Sequence, residues 1–130
     1  MAINPQTPGI HHIALRCTNM ETTKRFYQNT LGFTLALDTP DIIGFMAGSF
    51  ILAFKQANPG VLSDSVFNPF NIGLDHIALA CENEEELQRV AAALSDAGVD
   101  NTGVKLDETL KKQYVAFKDP DRIQWEFYMA

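Results

Sequence analysis

The sequence predicts an α+β fold built from two consecutive βαβββ modules, and three observations carry that expectation. First, Gly9-Ile10-His11-His12-Ile13-Ala14-Leu15-Arg16-Cys17-Thr18-Asn19 returns 64 residues later as Gly73-Leu74-Asp75-His76-Ile77-Ala78-Leu79-Ala80-Cys81-Glu82-Asn83, with seven of eleven positions identical. A repeat at about half the chain length marks a duplicated supersecondary unit, and two copies are too few for a solenoid. Second, in each half an alternating apolar run is followed by one helix-period segment and then by three strand-like runs. Third, 130 residues with 46% hydrophobic and 20% charged side chains suit one soluble globular domain, residues 1–130.

Module 1 is expected over residues 9–56. Residues 1–8 are polar, carry two prolines and read as a loose tail. From Ile10 to Cys17 the chain alternates, with His12, Ala14 and Arg16 on one face and His11, Ile13, Leu15 and Cys17 on the other. Asn19 is a good N-cap for a helix over 22–31, whose Phe26, Tyr27, Thr30 and Leu31 share a side, and Gly32 stops it. Strands follow over 33–37, 42–47 and 50–56, separated by turn formers at 38–41 and 48–49. Residues 57–72 are the linker. Their Val61, Val66, Phe67 and Phe70 suggest a segment that packs over something.

Module 2, residues 73–130, repeats the order. Leu74 to Cys81 is the strand. Asn83 caps a helix with Glu86 at its third position, a capping-box pattern, and Glu84, Glu85 and Glu86 suit the positive end of the helix dipole. Leu87, Val90, Ala91 and Leu94 form the apolar stripe, and Gly98 ends the helix. Strands are expected over 99–106, 112–118 and 122–129, the last two separated by Asp119-Pro120-Asp121-Arg122. One helix covers only one face of a four-stranded sheet, so the other face meets the partner module, a ligand, or both.

Composition narrows the function. The net charge is -6 and Lys and Arg form no run, which argues against nucleic acid as a partner. No apolar stretch reaches the length of a bilayer span. Met1 to Gln6 has neither a basic region nor an apolar core, so no signal peptide is expected and a cytoplasmic location is. A small-molecule substrate is the expected partner. Cys17 and Cys81 hold matching repeat positions on the apolar faces. In a reducing compartment they read as small buried hydrophobes in preference to a disulfide.

The candidate site starts from His12 and His76, which occupy the same place in the two copies. In the last strand Ile123, Trp125 and Phe127 alternate onto the helix-packed face, and Arg122, Gln124, Glu126 and Tyr128 onto the other. A carboxylate in the middle of so apolar a strand loses hydration and needs a cation. Two imidazoles and one carboxylate form a set that leaves open positions on a divalent metal such as iron, manganese, nickel or zinc. The other reading is a structural network, with Glu126 paired to Arg16 or Arg122 and hydrogen-bonded core histidines. The matched histidine positions favour the metal.

Three stretches are similar to the vicinal oxygen chelate superfamily, which includes glyoxalase I, extradiol dioxygenases and the fosfomycin and bleomycin resistance proteins. They are His12-Ile13-Ala14-Leu15, Phe26-Tyr27 with Leu31-Gly32-Phe33, and Asp119-Pro120-Asp121-Arg122-Ile123-Gln124-Trp125-Glu126-Phe127. The resemblance implies a cupped mixed sheet with helices on its outer face, formed within one chain or across a swapped homodimer. It places His12, His76 and Glu126 on metal-ligand positions and Ala53 on the family's fourth. Ala53 cannot bind a metal, which argues against glyoxalase I and leaves a trio resembling that of extradiol dioxygenases and of fosfomycin-resistance transferases. The family turn usually has Gly where this chain has Arg122, which is either a holder of an anionic substrate group or a solvated turn residue. Arg16, Ala53, Arg122 and Gln124 are candidate substrate contacts. Tyr128 and Tyr114 are candidate acid–base groups unless they merely pack. The implied function is a metalloenzyme acting on a substrate chelated through neighbouring oxygens, with extradiol-type oxygenation ranked above lyase or isomerase chemistry. The alternative is a metal-free sequestration protein of the bleomycin-resistance type.

Overall fold

The computed structural model describes residues 1–61 and 64–130. The chain divides into two compact units, Met1–Val61 and Leu62–Ala130. Unit 1 runs β1 (His12–Cys17), α1 (Met20–Arg25) continuing into a π turn (Phe26–Thr30), β2 (Thr34–Asp38), β3 (Ile43–Ala47) and β4 (Phe50–Gln56). Unit 2 runs β5 (Ile77–Cys81), α2 (Glu84–Asp96), β6 (Lys105–Asp107), β7 (Lys112–Lys118) and β8 (Gln124–Met129). Each unit is therefore βαβββ, as the repeat predicts. The sheets have the matching orders β1-β4-β3-β2 and β5-β8-β7-β6. In both, the first and last strands pair in parallel and the remaining pairs are antiparallel.

Strand parity sorts the side chains as expected. Cys17, Phe45, Leu52 and Phe54 are buried with Tyr27 in the core of unit 1, and Ile77, Cys81, Val115, Phe117 and Trp125 with Leu87, Ala91 and Leu94 in that of unit 2. Cys17 and Cys81 are buried thiols. The ladders also fix the repeat in space: Ala14 stands opposite Ala53, and Ala78 opposite Glu126, so Ala53 and Glu126 hold equivalent points of the two sheets.

Both strand starts come later than periodicity predicts, at His12 and Ile77 instead of Ile10 and Leu74. Gly9 and Gly73 sit at φ 128° and 135°, a backbone region open essentially to glycine, and the chain bends there before it enters the sheet. The helix of unit 1 departs from expectation too. At Leu31 the N–H bonds to the Phe26 carbonyl, five residues back, at 2.9 Å. That wider turn rotates the apolar side: Tyr27 is fully buried with its ring 4.5 Å from that of Phe54, whereas Thr30 is exposed and Thr23 is buried in its stead.

Helix caps follow the sequence closely. The Asn19 side chain accepts from the Thr22 N–H at 3.0 Å, and that of Asn83 from the Glu86 N–H at 2.8 Å. The return half of the capping box is replaced, because Arg89 Nε donates to Glu86 Oε2 at 2.8 Å. A charge-assisted guanidinium bond outcompetes a single backbone donor. Beyond α2, Gly98 at φ 75° closes the helix while Val99 N–H reaches back to the Leu94 carbonyl at 2.9 Å.

The expected linker, 57–72, forms neither helix nor strand over its described residues; 62 and 63 lie outside them. It was expected to pack over something. Instead Val61, Val66 and Phe70 are exposed and Phe67 is half-buried. Among the described residues no helix is long and apolar enough to cross a membrane.

Candidate functional site

In unit 2 the sheet face away from α2 carries an open concavity of about 530 Å³, lined among others by His76, Glu126, Tyr114, Tyr128, Leu106 and Leu110. β8 is an interior strand, and it sets Glu126 between Ala78 on β5 and Ala116 on β7. Two small neighbours leave room above the carboxylate, yet the side chain is only 13% exposed.

His76, immediately before β5, completes the pair. Its Nε2 lies 3.3 Å from Glu126 Oε1, and its Nδ1 lies 2.7 Å from Asp75 Oδ1. An ionised carboxylate only accepts, so Nδ1 carries a proton and donates it to Asp75. In the neutral ring Nε2 then aims a lone pair at a carboxylate oxygen. Two such atoms at this separation repel unless a proton or a cation stands between them. Two ligands about 2.1 Å from one ion and about 90–110° apart are separated by about 3.0–3.4 Å. The donor pair fits a divalent metal in both chemistry and spacing.

Burial holds the Glu126 carboxyl above the usual carboxylate range; His76 opposes that rise, while the negative charges of Asp107 and Asp75 add to it. Tyr128 stacks on Tyr114 with ring centroids 6.0 Å apart, and its hydroxyl donates to Asp107 Oδ2 at 2.8 Å. Desolvation first, then Asp107, pushes the Tyr128 hydroxyl up to about 12. Asp107 itself is held below its usual range by the Tyr128 bond and by the Thr109 N–H.

Unit 1 presents a simpler face. His12 opens β1 and is exposed, with its Nδ1 2.9 Å from His11 Nδ1. Parity was expected to point His11 away from His12. His11 lies before the strand begins, so parity does not govern it, and the two rings meet edge to face with centroids 5.2 Å apart. Ala53 is buried at 3% exposure and brings no polar atom. Arg16 donates to the Gln56 carbonyl at 3.0 Å and to Asn58 Oδ1 at 3.4 Å.

Arg122 was expected either as a pocket-facing residue of the last strand or as a solvated turn residue. It precedes β8, is exposed, and adopts φ 66° in a turn whose Asp119 Oδ1 accepts from the Asp121 and Ile123 N–H groups, each at 2.9 Å. Gln124 begins β8 opposite Lys118. Among the described residues the charged contact of Glu126 is with His76, and the pairing with Arg16 or Arg122 is not found. Within neither unit, among the described residues, do three His, Cys, Asp or Glu side chains gather into one metal-holding group.

Two residues of this face were missed by sequence reasoning, Asp75 and Asp107. Asp75 carried a signal, since it directly precedes the repeated histidine. Asp107 reads as a turn residue, which it also is: its Oδ1 accepts from the Thr109 N–H at 2.8 Å.

Comparison with known proteins agrees with the topology. The chain is 27% identical over 128 residues to the uncharacterized protein YwkD of Bacillus subtilis, covering 92% of this chain and 95% of that one. The crystal structure of a glyoxalase family protein from Enterococcus faecalis matches with a TM-score of 0.76 and 27% identity, covering 93% of this chain and 97% of that one. A lactoylglutathione lyase from Agrobacterium tumefaciens shares the fold, with a TM-score of 0.77 at 16% identity over 97% and 96% of the two chains. The family model of the Glyoxalase/Bleomycin resistance protein/Dioxygenase superfamily matches residues 9–127. Two βαβββ units with a shared opening strand, matched along nearly their whole length, make this chain a member of that superfamily.

Proposed function

We propose that the protein is a metal-dependent enzyme acting on a small substrate that is chelated through neighbouring oxygens. The observation that carries this reading is the His76–Glu126 pair, 3.3 Å apart, with the histidine proton committed to Asp75 on the far side of the ring. Glu126 and His76 would hold the metal, with His12, the repeat equivalent of His76, as third ligand. When bound, a divalent ion supplies Lewis-acid or oxygen-activating chemistry to the chelated substrate.

The chain's own residues favour oxygenation over isomerisation. A proton shuttle wants a base on each side of the substrate, and the point equivalent to Glu126 is Ala53. Tyr128 is a poor second base, because a hydroxyl pushed up to about 12 keeps its proton near neutrality. Its role is to hold Asp107 and to offer its oxygen lone pairs to a substrate hydroxyl. Tyr114, stacked beside it, supplies a flat apolar wall with Leu106 and Leu110.

The test is metal titration by calorimetry with manganese, iron, nickel and zinc, followed by two assays. Ferrous protein prepared without oxygen is mixed with catechols and then with air to look for ring cleavage. Nickel- and zinc-loaded protein is offered the methylglyoxal–glutathione hemithioacetal. About one metal per chain and turnover of a catechol are expected, with the active species sedimenting as a homodimer. No binding tighter than millimolar with any of the four metals would favour a metal-free sequestration protein.

A further inference from the structure

The geometry points to Asp75 and His11 as equivalent positioning residues, each fixing the ring of the repeated histidine that follows it so that Nε2 keeps its lone pair. This inference rests on the metal-site reading above. It is carried by a symmetry of geometry that the amino-acid identities hide, since an aspartate in one copy replaces a histidine in the other. Both residues precede the repeated histidine, and both lie two positions after a glycine at positive φ, Gly9 at 128° and Gly73 at 135°. Both place a side-chain atom on that histidine's Nδ1, at 2.7 Å for Asp75 on His76 and 2.9 Å for His11 on His12.

The bend explains how neighbours meet. Consecutive residues of a strand point to opposite faces, but Asp75 and His11 stand before the regular strands, where the glycine has turned the backbone. Neither contact belongs to the packing of a core, because Asp75, His11, His12 and His76 are all exposed. What the contacts set is the position of a proton. A neutral imidazole has one N–H and one lone pair, and a hydrogen bond at one nitrogen decides which is which. Asp75 forces the proton of His76 onto Nδ1. At His12 the partner is another imidazole, and a bond between two Nδ1 atoms needs one donor. For the two copies to act alike His12 must donate and His11 accept, which leaves the His11 proton on Nε2 and the His12 lone pair on Nε2. A histidine that binds metal through one nitrogen usually donates from the other to an orienting group.

The experiment reads tautomers directly in the metal-free protein, by long-range proton–nitrogen correlation spectra. His12 and His76 should both show the Nδ1–H form, and His11 the Nε2–H form. Asp75→Ala should move His76 toward Nε2–H, and Asp75→Asn, whose amide oxygen still accepts, should restore it. His11→Ala should do to His12 what Asp75→Ala does to His76. Metal affinity should fall by about 10–100-fold in each alanine variant and recover in Asp75→Asn, with thermal midpoints unchanged. A His76 that keeps the Nδ1–H form in Asp75→Ala would overturn the assignment for Asp75. A His12 found as Nε2–H in the unaltered chain would overturn it for His11. Failure of the unaltered chain to bind metal would sink the proposed function and leave the tautomer result standing, so the two failures are distinct.

Discussion

The Tyr128 hydroxyl donates to Asp107 across 2.8 Å, joining the interior strand of the second sheet to the turn at its edge. The two groups shift each other in opposite directions. Tyr128 is pushed up to about 12 by desolvation and by Asp107, and Asp107 is lowered, chiefly by the Tyr128 bond. The stability tied to the protonated hydroxyl is present below an ordinary tyrosine pKa of about 10 and is lost as pH rises through the folded value. The stability tied to the Asp107 carboxylate is present above about 3.9 and is lost as pH falls through its lowered value. Asp107→Asn should therefore lower the phenolate midpoint followed by ultraviolet difference absorbance. It should leave that midpoint above 10, because the desolvation remains. A midpoint that does not move would show that the bond is not made in solution.

Glu126→Gln should separate stability from binding. The Glu126 carboxyl is raised by burial, so its ionised form is disfavoured in the folded chain. By linkage, the fold is more stable where the group is protonated and loses that advantage as pH rises through the folded pKa. At pH 7 the neutral amide should raise the urea midpoint of the metal-free protein. Near pH 4 the difference should vanish, and metal binding should be lost throughout. A variant less stable than the parent at pH 7 would mean that the His76 contact outweighs the desolvation.

Arg122 holds φ 66°, in the left-handed region that costs a side-chain-bearing residue about 1–2 kcal/mol. Arg122→Gly removes that cost, partly offset by the greater freedom of glycine in the unfolded chain, and should stabilise by about 0.5–1 kcal/mol. Arg122→Val should destabilise by about 1 kcal/mol or more. Urea denaturation checks both. Because Arg122 is an exposed turn residue apart from the concavity, substrate affinity should not change in the glycine variant.

The strands that the sequence places most securely are β4 and β7, whose bounds are predicted to the residue because turn formers flank them, even though both faces are buried at their centres, over Leu52–Phe54 and Val115–Phe117. Sequence reasoning is weakest where a single backbone angle overrides the period. Gly9 and Gly73 delay β1 and β5, and Arg122 stands outside β8 because its φ is positive. At the site, Glu126 and His76 were legible because a carboxylate in an apolar strand and a repeated imidazole are both local anomalies. The Tyr128–Asp107 bond was not, since its ends are 21 residues apart and their meeting depends on how β6 closes against β7. His11 escapes strand parity because it precedes β1.

The placement of β8 bears on how the second unit is made. It is the last strand of its unit along the chain, yet it lies between β5 and β7. While the polypeptide is being synthesised, β5 has no neighbour to bond with, and the hairpin of β6 and β7 must wait with one edge open. Unit 1 has the same arrangement, but there β4 emerges before any strand of unit 2 has been made. The strand that closes the second sheet also brings Glu126, so the carboxylate meets His76 only as the sheet becomes whole. A nascent chain paused before that strand would present an unpaired sheet edge to chaperones and would bring no Glu126 to His76.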